Sequence, residues 1–172
     1  MSVPESRVGQ RSETVRRANL SAIARELHLR GPQSRSELGL RTGLTRSAIR
    51  GLIGELVAGG LVTEIRSAPA GTPGRPSPLV RPQSRSAVVL ALEVNIDSLA
   101  AASIGFGGTI HDLVRVDRPR THVTVDEIVA DLVELAEPIL ARMSDDEMVG
   151  VGVAVAGIVR RTAGIVRQAP NL

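Results

Sequence analysis

The 172-residue chain has no cysteine, which excludes disulfides, thiol catalysis and thiolate zinc sites and makes a cytosolic, cytoplasmic protein the expectation. It has no lysine either: all 21 basic residues are arginine. That excludes a P-loop lysine, a Schiff-base lysine and a lysine-dependent kinase centre. Phe106 is the one aromatic residue, so stacking of unpaired bases on aromatic faces is excluded as a binding mode. No run of about 20 apolar residues is present, and no membrane span is expected. Residues 1–10 are polar and hold no apolar stretch, so no secretory leader is expected there. The length fits one domain, or one small domain joined to part of another.

What is present is unevenly spread. Residues 1–85 carry 14 arginines against 6 glutamates, a charge of +8, while residues 86–172 carry 7 arginines against 12 acids, a charge of −5. A basic half followed by an acidic half suggests two modules with different partners. The basic half suits a polyanion, because summed positive potential attracts phosphate. The alternative is a general arginine habit with solvated faces.

Residues 1–13 are polar and aperiodic and are expected to form a disordered arm. From Thr14, the spacing of Val15, Leu20, Ile23, Leu27 and Leu29 predicts an amphipathic helix, ended by Gly31-Pro32. Ser34-Arg-Ser-Glu37 has the form of a capping box and opens a short helix that buries Leu38. Gly43 ends it and Thr45 caps the next, over 46–58, with Ile49, Ile53, Leu56 and Val57 inward. Gly59-Gly60 stops that helix. Residues 61–65 and 79–81 read as strands around a loop dense in Gly and Pro, and 82–86 reads as a linker.

The second half predicts a meander of three strands over 87–96, 99–104 and 109–116. Thr124-Val-Asp-Glu127 opens a helix to about Met143, with Ile128, Leu132, Leu135, Ile139 and Leu140 apolar and a kink expected at Pro138. Residues 149–155 read as a buried strand, and 158–159 with 165–166 as a hairpin.

Helix, Gly-Pro break, short helix, turn, helix, then a hairpin with an arginine at its tip is the order of a winged helix-turn-helix, over 14–81. The chemistry suits double-stranded DNA. A helix fits the major groove with its N-terminal residues facing the base edges. Thr45, Arg46, Ser47 and Arg50 occupy that first turn and a half. Arginine pairs bidentately with guanine, and Ser and Thr serve phosphate or base. Arg75, in Gly74-Arg-Pro76, suits a narrow minor groove. Arg35 and Arg41, on the preceding helix, are expected to clamp phosphates. A palindromic operator would be read by a homodimer. A plain helical bundle is the alternative.

In the second half, Gly105-Phe-Gly-Gly108 lacks the third glycine of a dinucleotide loop and reads as a hairpin turn. His28, His111 and His122 lack metal-ligand spacing, and Asp145-Asp-Glu147 reads as a solvated loop. No metal or cofactor is expected.

Taken together, Ser34-Arg-Ser-Glu-Leu38, Thr42-Gly-Leu-Thr-Arg-Ser47, Gly60-Leu-Val62, Gly74-Arg-Pro76, Gly150-Val-Gly-Val-Ala-Val-Ala-Gly157 and Gln168-Ala-Pro-Asn-Leu172 resemble the repressor branch of the ROK family (repressors, open reading frames and sugar kinases). The resemblance spans residues 18–172. It implies an α+β, two-domain chain: a winged helix-turn-helix that binds operator DNA, then, over 87–172, part of an actin-like ATPase (ribonuclease-H-like) α/β lobe. In relatives that lobe responds to a sugar or sugar phosphate.

The chain also departs from the family. Kinases of the family follow the first strand of the lobe with an Asp-x-Gly-Gly-Thr turn near ATP phosphates; the matching stretch here is Glu93-Val-Asn-Ile-Asp97. Without the glycines, side chains obstruct close backbone approach, and two acids repel phosphate. Family members continue past Ala-Pro-Asn-Leu to the catalytic Asp, most of the sugar site and a Cys-rich zinc motif. The sequence therefore implies a non-catalytic regulator, not an enzyme, with half a sugar cleft at Gly157 and Asn171 and with uncovered apolar faces. The alternatives are a fragment of a sugar kinase, or a second half that only dimerises.

Overall fold

The computed structural model describes residues 7–65, 78–118, 124–143, 148–160, 162–163 and 165–168. The chain divides into two units, Met1–Gln83 and Ser84–Leu172.

The first unit runs α1 (Arg7–Arg30), β1 (Gln33–Ser34), α2 (Arg35–Thr42), α3 (Arg46–Ala58), β2 (Val62–Ile65) and β3 (Leu79–Pro82). Gly31, at φ 73°, ends α1 in the left-handed conformation and donates its N–H to the Leu27 carbonyl at 2.9 Å. The three strands form one antiparallel sheet in the order β1-β3-β2. Ile23 and Leu27 of α1, Leu38 of α2 and Ile49, Leu52, Ile53 and Leu56 of α3 are buried, as are Val62 and Val80 of the sheet.

Several expectations are corrected here. The first helix starts at Arg7, so residues 7–13 are helical and do not form a disordered arm. Residues 12–18 are all exposed, so this stretch follows helix propensity without an apolar stripe to betray it. Val15 and Leu29 are about three-fifths exposed and lie off the stripe that Ile23 and Leu27 define. On α3, Leu52 takes the inward place expected of Val57, which is exposed. At 100° per residue Leu52 falls beside Ile49 and Leu56, whereas Val57 falls beside Arg46 and Arg50. Residues 82–86, expected as a linker, hold the boundary between the two units: Pro82 ends β3, the Gln83 N–H donates to the Leu61 carbonyl at 2.9 Å, and Ser84–Ser86 form a 3-10 turn.

The second unit continues from that turn with β4 (Val88–Val94), β5 (Ser98–Gly105), β6 (Thr109–Asp117), α4 (Val125–Leu140), β7 (Met148–Val155), β8 (Ile158–Arg160) and β9 (Ile165–Gln168). The main sheet has the order β6-β5-β4-β7, with β7 parallel to β4 and the other pairs antiparallel. Strands β8 and β9 form a separate hairpin. Leu132, Ala136 and Ile139 of α4 pack on the sheet face that carries Leu90, Val94, Leu99 and Ala101. Leu140, expected on that face, is 39% exposed because it is rotated to the helix flank with Val129 and Val133. Pro138 lies in the last turn of α4, two residues before its end.

The β5–β6 turn uses glycine at positive φ, 89° at Gly107 and 81° at Gly108. Gly105 is required for another reason: a Cβ there would overlap the Ser84 carbonyl. The segment is a hairpin turn, as its residues imply. The strand expected to be buried over 149–155 is not: Val149, Val151 and Val153 of β7 are more than half exposed, and among the described residues nothing covers them. No helix among the described residues is long and apolar enough to cross a membrane.

Candidate nucleic-acid interface

Two caps and a tight turn build the site. Ser34 caps α2 in a closed capping box: its backbone N–H donates to Glu37 Oε2 at 2.7 Å, and the Glu37 N–H donates to Ser34 Oγ at 3.2 Å. The Ser34 N–H, and then its hydroxyl, hold the Glu37 carboxyl below its ordinary pKa. Gly43, at φ 70°, ends α2 in the left-handed conformation. Residues 43–45 then turn the chain, with Leu44 half-buried beneath. Thr45 caps α3 by accepting from the Ala48 N–H at 3.3 Å, and its Oγ1 lies 3.1 Å from Ser47 Oγ. The rigid placement of α3 thus comes from a cap at its start and four buried side chains beneath it.

Arg46 and Arg50 are four residues apart on the outward face of α3. Both are exposed, and among the described residues neither guanidinium has an ion-pair or hydrogen-bond partner. The first turn of α3 contains no acid, whereas α2 and α4 each carry acids there. The partial positive charge of the α3 N-terminus is therefore left unneutralised and reinforced by two guanidinium groups. Such an end attracts anions, phosphate above all.

The other expected residues are spread around this end. Thr45 caps the helix with its hydroxyl oxygen. Ser47 is exposed on the side toward α1, where it lines an open groove of about 480 Å³ with Val15, Asn19 and Gly51. Arg16 of α1 and Glu55 of α3 pair at 3.0 Å beside that groove. Arg41 is exposed and stands 4.0 Å from Glu26, whose carboxylate also takes Arg30 at 3.0 Å. Arg35 is engaged instead: its Nε and Nη2 donate to the two carboxylate oxygens of Glu64. Arg75 lies outside the described residues, as do His122, Asp145-Asp146-Glu147 and Asn171. Among the described residues no group of three His, Asp or Glu side chains could hold a metal ion.

No family model matches the chain, and no curated protein matches it. Among solved structures it is similar to the crystal structure of a ROK family transcriptional regulator, a homologue of the E. coli MLC protein, at 21% identity and a TM-score of 0.58. The match covers 91% of this chain and 40% of that one. The chain has the fold of a ROK family regulator. It spans two-fifths of the length of the ROK structure it matches.

Within this ROK fold, the residues missed from sequence are those whose role depends on a neighbour. Glu64 is the clearest, and alternation places it on the face of buried Val62, where it meets Arg35. Gly51 and Gly54 are also informative. They sit exposed inside α3, where a Cβ at either would meet nothing within 4 Å. Packing within the chain does not require them, and each weakens the helix by about 1 kcal/mol relative to alanine.

Proposed function

We propose that this chain is a DNA-binding transcriptional regulator, with a winged helix-turn-helix over 14–81 and part of a non-catalytic actin-like lobe over 87–172. The observation that carries it is the electrostatically unfinished start of α3, where Arg46 and Arg50 stand exposed and unpaired among the described residues beside a helix end with no acid. In this reading α3 enters the major groove, Arg50 reads a base, Arg46, Thr45, Ser47 and Arg41 serve phosphates or base edges, and Arg75 reaches a minor groove. The fold shared with a ROK family transcriptional regulator supports it. The reading extends to a homodimer on a palindromic site, repression of sugar-related genes, a sugar or sugar-phosphate effector and action in the cytoplasm.

A catalytic role is disfavoured by the turn after β4. There the Asn95 N–H donates to the Ser98 carbonyl and the Ile96 N–H to Asn95 Oδ1, both at 2.9 Å. In this reading the turn matches the one that a kinase of the family uses to present bare backbone to phosphate, and here it carries side chains and internal hydrogen bonds instead.

Selection from a randomised duplex pool, followed by fluorescence anisotropy on the winning duplex and a scrambled copy, tests the proposal. Tighter binding to the winner is expected. Equal affinity for both would overturn sequence-specific recognition.

A further inference from the structure

Resting on the DNA-binding reading above, we propose that Arg35 is a positioning residue: paired with Glu64, it locks the β2–β3 hairpin to α2 and so fixes the register in which α3 and the hairpin meet a duplex. The sequence suggests a phosphate clamp at Arg35, but the geometry points elsewhere. Both oxygens of one carboxylate are taken by Nε and Nη2 of one guanidinium, the forked arrangement that fixes orientation as well as charge. The Arg35 and Glu64 side chains are only 26% and 27% exposed. The Nε–Nη2 edge of Arg35 is taken, so a phosphate could reach only the remaining Nη hydrogens of a guanidinium whose charge Glu64 already offsets.

The placement of Glu64 explains the pairing. It stands opposite Val80 in the β2–β3 register, so it projects on the face where Val62 and Val80 are buried. Taken with its backbone, Glu64 is exposed at the end of that face, where its side chain meets Arg35. The same residue, Arg35, also donates its backbone N–H to the Pro78 carbonyl at 3.3 Å. Gln33 and Ser34, just before it, pair with Val80 and Leu79. Both roots of the hairpin, Glu64 on one strand and Pro78-Leu79 on the other, are thus tied to the first residue of α2 and the strand before it. Helix α2 leads into α3 through the turn at 43–45. Arg35 is therefore the hinge pin between two elements that meet one target, and a site on two elements is only as accurate as the joint between them.

The test uses the full chain and a mixed-sequence duplex of about 30 bp, with anisotropy read between about 50 and 200 mM salt. Arg35→Gln and Glu64→Gln are expected to weaken binding alike, by roughly three- to fivefold, matching the worth of a partly exposed ion pair. The slope of log affinity against log salt is expected to stay at the wild-type value in both. The charge-swapped double variant, Arg35→Glu with Glu64→Arg, is expected to recover most of the loss. Arg35→Lys, which keeps the charge but loses the fork, is expected to fall between wild type and Arg35→Gln, and it serves should Arg35→Gln fail to fold by circular dichroism. A slope flattened by about one in Arg35→Gln, with tighter binding in Glu64→Gln, would make Arg35 a phosphate clamp and overturn the proposal. Unchanged affinity in both would overturn it too. Absence of binding by the wild type at low salt is a different result, because it removes the DNA-binding reading itself before any variant is compared.

Discussion

Helices α3 and α4 have similar scaffolds and opposite ends. Each is capped by a threonine whose hydroxyl accepts the N–H three residues on, and each packs isoleucine and leucine side chains inward. At α4, Thr124 closes a capping box with Glu127, and Asp126 adds a second acid to the first turn. At α3, Thr45 caps alone, and the first turn and a half carry Arg46 and Arg50. The dipole of α4 is neutralised from within the chain, while that of α3 is left for an outside anion. Similar caps with unequal first-turn charge set the two helix ends apart, and the proposed role of α3 rests on that difference.

Equal packing is tested first, where the largest effects lie. Ile53→Ala under α3 and Ile139→Ala under α4 each remove a fully buried side chain, and each is expected to cost roughly 2–5 kcal/mol in urea unfolding. A much smaller loss at Ile53 would mean that α3 is not rigidly seated. Next comes the outer face. Arg50→Ala is expected to cost about 1–3 kcal/mol of duplex binding, concentrated at one base position when single-base variants of the site are compared by anisotropy. Making α3 resemble α4 sharpens the contrast further. Ser47→Glu puts an acid in the first turn and is expected to raise stability by about 0.3–1 kcal/mol in thermal melts while weakening duplex binding. Stability and binding moving in opposite directions is the expected signature.

The smallest effect concerns pH. Donation from the backbone N–H of Thr124, and then from its hydroxyl, lowers the Glu127 pKa, as Ser34 does for Glu37. A glutamate whose folded pKa is lowered contributes stability above its ordinary value and loses it as pH falls through the folded value. Acid titration followed by circular dichroism is therefore expected to show a flatter stability profile for Glu37→Gln with Glu127→Gln than for wild type. The α3 end has no first-turn acid, so it adds nothing to this acid sensitivity.

Local signals carry far in this chain. Both capping boxes close as written, and α3 has the bounds that Thr45 and Gly59 imply. The meander β4-β5-β6 follows from short spacing and the glycine turn. What is not legible depends on distant partners or on exposure. The two-residue β1 has no pattern of its own and exists because β3 pairs with it. The parallel neighbour of β7 is set by a crossover through α4, which strand composition does not specify. Residues 12–18 of α1 are all exposed, so periodicity is silent there. At the candidate site, the exposure of Arg46 and Arg50 follows from their charge together with helical spacing. The engagement of Arg35 does not, because its partner is 29 residues away on β2.

The salt dependence of duplex binding tests the central claim most directly. Wild-type affinity is expected to fall steeply with salt. Arg46→Ala with Arg50→Ala together is expected to weaken binding and flatten the slope by up to about one, for the phosphate left without Arg46. A wild type that ignores duplexes at low ionic strength, or a double variant that matches it in affinity and slope, would contradict the assignment of α3 as the element that meets DNA.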